Sequence, residues 1–263
     1  MHPNLLAYSD HEIFDSEEGI AAYRSSKLAG VKKNISFVKN NFDKKLRALE
    51  IGSGNSKFLY ALELENMLTE GYGFEISKSR INFADEWKKD LGINNVYNIE
   101  ENILQTKFDR LPFFDLVYCV DLAFQFLDPV EPGSDLRILK SIYQSLNRGG
   151  KVILELDCHQ RLVDKMEDGK IKTWQEFDDS DPWQYLLWDC ELKNDHLALM
   201  KTFIKRDLSE TSKSKVVLKN YQRSDILHLL FLSGFHNIQI FERWNRDGDL
   251  LEDEFIVIGE KND

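Results

Sequence analysis

The stretch LEIGSGNSKF, from Leu49 to Phe58, joins an apolar run ending in an acid to two glycines one residue apart. Gly52-Ser53-Gly54 reads as the turn from a strand ending near Ile51 into a helix. Turns of this kind lie at the carboxyl edge of a parallel sheet, where ligands bind, and glycine there avoids a Cβ clash and permits positive φ. Alone, a Gly-x-Gly turn serves equally well as a tight corner with no ligand. A second acid, Glu75 in GYGFEIS, closes the next strand twenty-one residues after Gly54. A carboxylate placed there can accept both hydroxyls of a ribose; the alternative is a solvated residue at a strand end. The spacing favours the ligand and predicts an adenosine-type molecule with free hydroxyls. A dinucleotide fingerprint needs a third glycine three residues after the second. Lys57 stands at that position, so no pyrophosphate site is implied.

These residues need a scaffold that brings successive strand ends together. Residues 16–40 have helical spacing, with Ser16 as N-cap and acids in the first turn. Short apolar runs then alternate with amphipathic segments: strand Arg47–Ile51, helix Ser56–Thr69, strand Gly71–Phe74, helix Lys78–Leu91, strand Val96–Ile99, strand Phe114–Val120, helix Asp135–Leu146, a turn at Asn147–Gly150 and strand Lys151–Leu156. That rhythm predicts an α/β fold with a mainly parallel, doubly wound sheet. It breaks after Cys158. Trp183–Lys193, His196–Asp207 and Ser214–Gln222 are three strand-like runs, read as an antiparallel β insert. Helix Arg223–Leu232 and strands His236–Glu242 and Glu254–Glu260 close the chain. The expected organisation is a helical segment over 1–45, a cofactor-binding domain over 46–157 and 222–263, and a β cap over 158–221.

From Leu46 onward the chain resembles the class I S-adenosylmethionine-dependent methyltransferases. ALEIGSGNSKFL is similar to the family's first motif, FEIS to the second, VYNIEENIL to the third, DLVYCVDLAFQFL to the fourth and LNRGGKVIL to the turn into the fifth strand. Two places depart from the pattern: Ser56 stands where the family often has glycine, and Glu101-Asn102 stand where it usually shows Gly-Asp. The resemblance implies a Rossmann-like sheet ending in an antiparallel strand. It implies S-adenosyl-L-methionine as cofactor, with S-adenosyl-L-homocysteine as product. It further implies cofactor contacts at Glu50, Gly52, Ser53 and Gly54, at Glu75 and Ile76, at Asn102 and Ile103, and at Cys119. Related small-molecule enzymes place a tyrosine or arginine ahead of the first strand. Tyr23 and Arg24 are the candidates, with Arg24 able to pair with the cofactor's carboxylate or to be a surface arginine.

The insert and the N-terminal segment are expected to choose the acceptor. Trp174, Trp183 and Tyr185 can wall an onium group by cation–π attraction, or simply build a small β core. His159, past the fifth strand, has the pKa of a base working near neutrality, or is a solvated loop residue. Asp121, after the fourth strand, can touch the acceptor or cap the next turn. No metal or covalent nucleophile is expected, because Cys119, Cys158 and Cys190 lack metal-ligand spacing and an adjacent base.

Composition narrows the class of acceptor. The 263 residues carry a formal net charge of −11, against the basic stripe that a nucleic-acid binder usually shows. Nothing resembles a signal peptide or a membrane span. The expected enzyme is cytoplasmic, moves a methyl group to a small-molecule N or O nucleophile, and has no membrane or nucleic-acid partner and a second copy of itself as possible homodimer. The rivals are an NAD-dependent oxidoreductase, a methyltransferase of RNA or protein, and a binding module that keeps the fold without the chemistry.

Overall fold

The structure, a computed structural model, describes residues 2–5, 16–177, 183–242 and 253–262. Parts of the expected helical segment (6–15), of the insert (178–182) and of the closing region (243–252) lie outside them.

Ser16 begins helix α1 (Glu17–Gly30) as expected, its hydroxyl accepting from the Gly19 N–H. The single helical run expected over 16–40 is two helices, because Val31 leaves helical geometry between α1 and α2 (Lys32–Asn41). The core alternation follows: β1 (Leu46–Ile51), α3 (Lys57–Leu64), β2 (Leu68–Glu75), α4 (Lys78–Asp90), β3 (Val96–Glu100) and β4 (Phe114–Cys119). After β4 come the short helix α5 (Leu127–Val130), α6 (Ser134–Ser145) and β5 (Leu146–Asp157). Helix α3 stops earlier than its apolar pattern suggests. Asn66 takes a left-handed φ of 57° and turns the chain, so that Leu68 can pair with Leu46. The Asn147–Gly150 turn lies inside β5 as a bulge: Phe114 pairs with Leu146, but Leu116 pairs with Lys151.

The insert contains α7 (Gln160–Val163) and four strands rather than three: β6 (Lys170–Glu176), β7 (Trp183–Lys193), β8 (His196–Lys205) and β9 (Thr211–Lys219). Strand β6 shows strict alternation of exposure. Its inward positions are Ile171, Thr173 and Gln175, too polar to announce a strand in sequence. After α8 (Arg223–Leu232), β10 (His236–Glu242) and β11 (Glu254–Glu260) complete the main sheet, which runs β10-β11-β5-β4-β1-β2-β3. Strand β11 runs against the other six: its pairings with β10 and β5 are antiparallel and the remaining pairings are parallel. Alternate strand residues feed two apolar layers. Leu49, Val117 and Leu154 meet α6 and α8, while Ala48, Leu116 and Ile153 share a core with α2, α3 and α4. Among the described residues no helix is long and apolar enough to cross a membrane.

The four-stranded sheet is fastened to the body by buried polar groups. The Gln125 side chain donates to the carbonyls of Asp157 and Lys219 and accepts from the Asp157 N–H. Asp135 accepts from Lys219 Nζ at 2.8 Å and from the Tyr221 hydroxyl at 2.9 Å. A buried group left without its partner costs about 1–3 kcal/mol, so these contacts fix the four-stranded sheet to α6 and to the end of β5.

Candidate active site

The strand order reverses between β1 and β4: β2 and β3 lie to one side of β1, β4 and β5 to the other. Such a switch point opens a crevice outside the carboxyl ends of the strands. A cavity of about 350 Å³ is found there, lined by Ile51–Asn55 after β1, Glu75 and Ile76 after β2, Glu101–Leu104 after β3, and Val120, Asp121 and Ala123 after β4. Tyr23 and Lys27 close it from α1, and Asn4 and Leu5 from the N-terminal turn.

The glycine loop is held by β2. The N–H groups of Gly52 and Ser53 donate to the Phe74 carbonyl at 2.9 and 3.0 Å. Gly52 has a φ of +70°, and a Cβ there would stand 2.8 Å from that of Ala123. Glu75 locks the same arrangement from its own side. One carboxylate oxygen accepts from the Gly54 N–H at 2.9 Å; the other accepts from the N–H groups of Ile76 and Ser77 at 2.7 and 2.8 Å. Its carboxylate is thus fixed at the cavity wall.

Ser56 adopts φ 58° with no side-chain cap, so it does not cap α3. The family's glycine at this place has a physical reason, since the left-handed conformation costs an ordinary residue roughly 1–2 kcal/mol. Here the Ser56 hydroxyl hydrogen-bonds Asn98 Oδ1 at 2.7 Å, and the Asn98 amide donates to Tyr60 and Asp85. That network, unread in the sequence, offsets the strain.

Gly73 was equally silent in the sequence. A Cβ on it would lie 2.7 Å from Ser53 Oγ, 2.9 Å from Ser53 Cβ and 3.1 Å from Ser56 Oγ. Only glycine lets the loop rest on β2. Overpacking of this kind costs roughly 1–3 kcal/mol. Gly73→Ala is therefore expected to weaken S-adenosylhomocysteine binding about tenfold while circular dichroism stays that of the wild type; calorimetry checks it.

The remaining expected residues divide clearly. Ser53, Ile76, Asn102, Ile103, Tyr23 and Asp121 line the cavity beside Gly52, Gly54 and Glu75. Asn102 Oδ1 accepts from the Leu104 N–H at 3.1 Å. Arg24 does not line it. Successive helix residues lie about 100° apart, which turns Arg24 away from Tyr23, over the rings of Phe83 and Trp87 and into an ion pair with Asp90 at 2.5 Å. Lys27, four residues beyond Tyr23, shares its face instead.

Glu50 lies under the loop, outside the lining, and takes a hydrogen bond from the Tyr118 hydroxyl at 3.0 Å. Burial pushes its carboxyl well above the usual range. Cys119 is likewise buried outside the lining, and burial raises its thiol pKa strongly.

His159, expected as a base, also lies outside the cavity lining. Its φ is 47°, its N–H donates to Asp157 Oδ1 at 2.6 Å, and Nδ1 stands 3.0 Å from the Asp157 carbonyl. The ring thus packs against the end of β5. Next to it, Asp157, Cys158 and Asp253 bring side-chain oxygen and sulfur atoms within 4.8 Å of one another. Asp253 is engaged there in fastening α7, accepting from the Arg161 N–H at 2.6 Å.

Of the three expected aromatic walls, Trp174 and Tyr185 meet edge to face at 5.8 Å, away from the cavity, and Trp183 does not join them. Residues directly opposite on antiparallel strands share a face. Trp174 pairs with Leu187 and Tyr185 with Glu176, which puts Trp174 and Tyr185 on the face opposite the cap's apolar core, with Trp174 64% exposed. Trp183 packs instead against Phe203 at 5.6 Å. None of the three lines the cavity.

Residues 42–194, more than half of the chain, match the family described as "Methyltransferase domain". No curated protein matches the chain in sequence. Among solved structures, an S-adenosylmethionine-dependent methyltransferase from Clostridium acetobutylicum is similar over 94% of this chain and 100% of its own, with a TM-score of 0.71 at 14% identity. An amino pentose methyltransferase from Micromonospora echinaspora is similar over 96% of this chain and 100% of its own (TM-score 0.69, 14% identity). A sugar N-methyltransferase from Streptoalloteichus is similar over 91% and 88% (TM-score 0.65, 11% identity). At such identities these likenesses establish the fold, and the family match establishes kinship. The chain belongs to the methyltransferase-domain family, within the class I S-adenosylmethionine-dependent methyltransferases.

Proposed function

We propose that this methyltransferase modifies a small-molecule acceptor at a nitrogen or oxygen nucleophile, with the four-stranded insert as the cap over the acceptor. The observation that carries the reading is the cavity itself, where the ends of β1, β2, β3 and β4 bring Gly52, Glu75, Asn102 and Asp121 around one space of about 350 Å³.

The residues present fit the cofactor. Ser53 Oγ is buried at the cavity with no hydrogen-bond partner among the described residues, as expected of a group reserved for a ligand. In this reading Glu75 receives the ribose hydroxyls, Ile76, Ile103 and Leu104 flank the adenine, and Asn102 faces its amino group. Lys27 takes the carboxylate role that Arg24 cannot fill. When bound, S-adenosylmethionine supplies an activated methyl group: the acceptor's lone pair forms the new bond to carbon while the carbon–sulfur bond breaks and its electron pair leaves with sulfur. The protein's part is to align the acceptor and exclude water, and alignment can contribute roughly 7–11 kcal/mol of barrier lowering.

A small acceptor is supported by the net charge of −11, which disfavours a polyanion, and by likeness to enzymes described as amino pentose and sugar N-methyltransferases. The three free cysteines, all buried, suit a cytoplasmic protein. Turnover to S-adenosylhomocysteine, followed by mass spectrometry across amine, hydroxyl and sugar acceptors beside RNA and protein, tests the assignment. Methylation confined to RNA or protein, or no turnover with any acceptor, would contradict it.

A further inference from the structure

Within the cavity lining one ion pair has no role yet. Lys57 Nζ stands 2.5 Å from Asp121 Oδ2, with the lysine side chain 19% exposed and the aspartate side chain 58% exposed. The other acids of the lining are engaged differently. Glu75 accepts three backbone N–H groups, and Glu101 Oε1 accepts from the Thr106 hydroxyl at 2.9 Å. Asp121 is also held in an unusual backbone. Its φ is 52° and that of Leu122 is 62°, and its N–H donates to Glu155 Oε2 at 2.8 Å. Two successive left-handed residues cost about 1–3 kcal/mol each, and such strain concentrates at functional positions. Here it aims a half-exposed carboxylate, already in contact with an ammonium, at the end of the cavity.

We infer that Asp121 is the acceptor-recognition residue, that the acceptor is an amine bound there as an ammonium, and that Lys57 is a resident cation which the acceptor replaces. The inference rests on the cofactor assignment above. It commits the acceptor to nitrogen rather than oxygen. Asp121 already holds the ammonium of Lys57, the charge and hydrogen-bonding pattern that a protonated amine presents. The bound ammonium first gives one proton to water at the exposed edge of the carboxylate, which frees the nitrogen lone pair for attack.

The test measures binding and needs no known acceptor. Sinefungin replaces the sulfonium S–CH3 of the cofactor with CH–NH3+, so its ammonium probes the position of the transferred methyl. S-adenosylhomocysteine shares every other contact. Calorimetry is expected to give wild type at least a tenfold preference for sinefungin, about 1.4 kcal/mol. Asp121→Asn should bring the two within about threefold; asparagine tolerates the left-handed backbone, so the fold is kept. Lys57→Met should widen the preference beyond that of wild type, because the competing cation is gone. A sinefungin preference unchanged by Asp121→Asn, or narrowed by Lys57→Met, would overturn the inference. Failure of wild type to bind either compound would sink the cofactor assignment itself, a distinct result.

Discussion

Replacing Glu75 with alanine is expected to weaken S-adenosylhomocysteine binding by at least ~100-fold, close to 3 kcal/mol. Two losses combine. The ribose hydroxyls lose a charged acceptor, and hydrogen bonds to charged groups contribute roughly 1.5–3 kcal/mol. The glycine loop also loses its tether, since the Gly54 N–H bonds to the same carboxylate that holds the N–H groups of Ile76 and Ser77. Glu75→Gln should be nearly as damaging. Both carboxylate oxygens accept from backbone donors, so an amide must turn its NH2 toward at least one N–H. Titration calorimetry reads the affinity, with circular dichroism to show that the fold persists. A variant that binds within about threefold of wild type would remove Glu75 from the site.

The second large effect concerns stability. Asp135 is nearly fully buried, with its side chain 4% exposed. Burial alone would raise its pKa, but the hydrogen bonds from Lys219, the Leu136 N–H and Tyr221 outweigh it and hold the carboxyl below its ordinary 3.8. Asp135→Ala leaves Lys219 with Asp128 at 3.3 Å and the Tyr221 hydroxyl without its acceptor. Lys219 keeps a partner, so the main loss is the buried hydroxyl left unpaired, about 1–3 kcal/mol. At ~2–4 °C per kcal/mol for a chain of this size, the melting temperature should fall by about 5 °C. The pH dependence has a definite sign. A depressed folded pKa contributes stability above the unfolded value, and that contribution is lost as pH falls through the folded one. The gap between wild type and variant should therefore be full at neutral pH and narrow as pH falls below 3.8 and on through the lower folded value. A gap of constant size on acidification well below 3.8 would show that packing, and not the carboxylate, ties β9 to α6.

Much of this was legible in the residues. Short apolar runs and helical patterns located the strands and helices of the main sheet, because parallel strands buried on both faces are apolar throughout. Glycine and acid spacing singled out Gly52, Gly54 and Glu75, and the fold sets all three around one cavity. What the sequence hid is geometric. Gly73 matters only because β2 runs beneath the loop, and Asn98 only because parallel pairing sets it beside Ser56. Arg24 was the basic candidate ahead of the first strand, but the phase of α1 turns it away from the cavity and sets Lys27 in the lining instead. The polar inner face of β6 concealed a strand, and its alternation put Trp174 on solvent's side. Asp121 was visible as an acid after β4, but its contact with Lys57 depends on two positive φ angles that no residue pattern announces.

The central claim is that the crevice between β1 and β4 is a cofactor seat for S-adenosylmethionine and not for a dinucleotide. Titration of the wild-type protein with S-adenosylhomocysteine and, separately, with NAD tests it most directly. One S-adenosylhomocysteine per chain with no heat from NAD is the predicted result; saturable NAD binding with none of S-adenosylhomocysteine would contradict it.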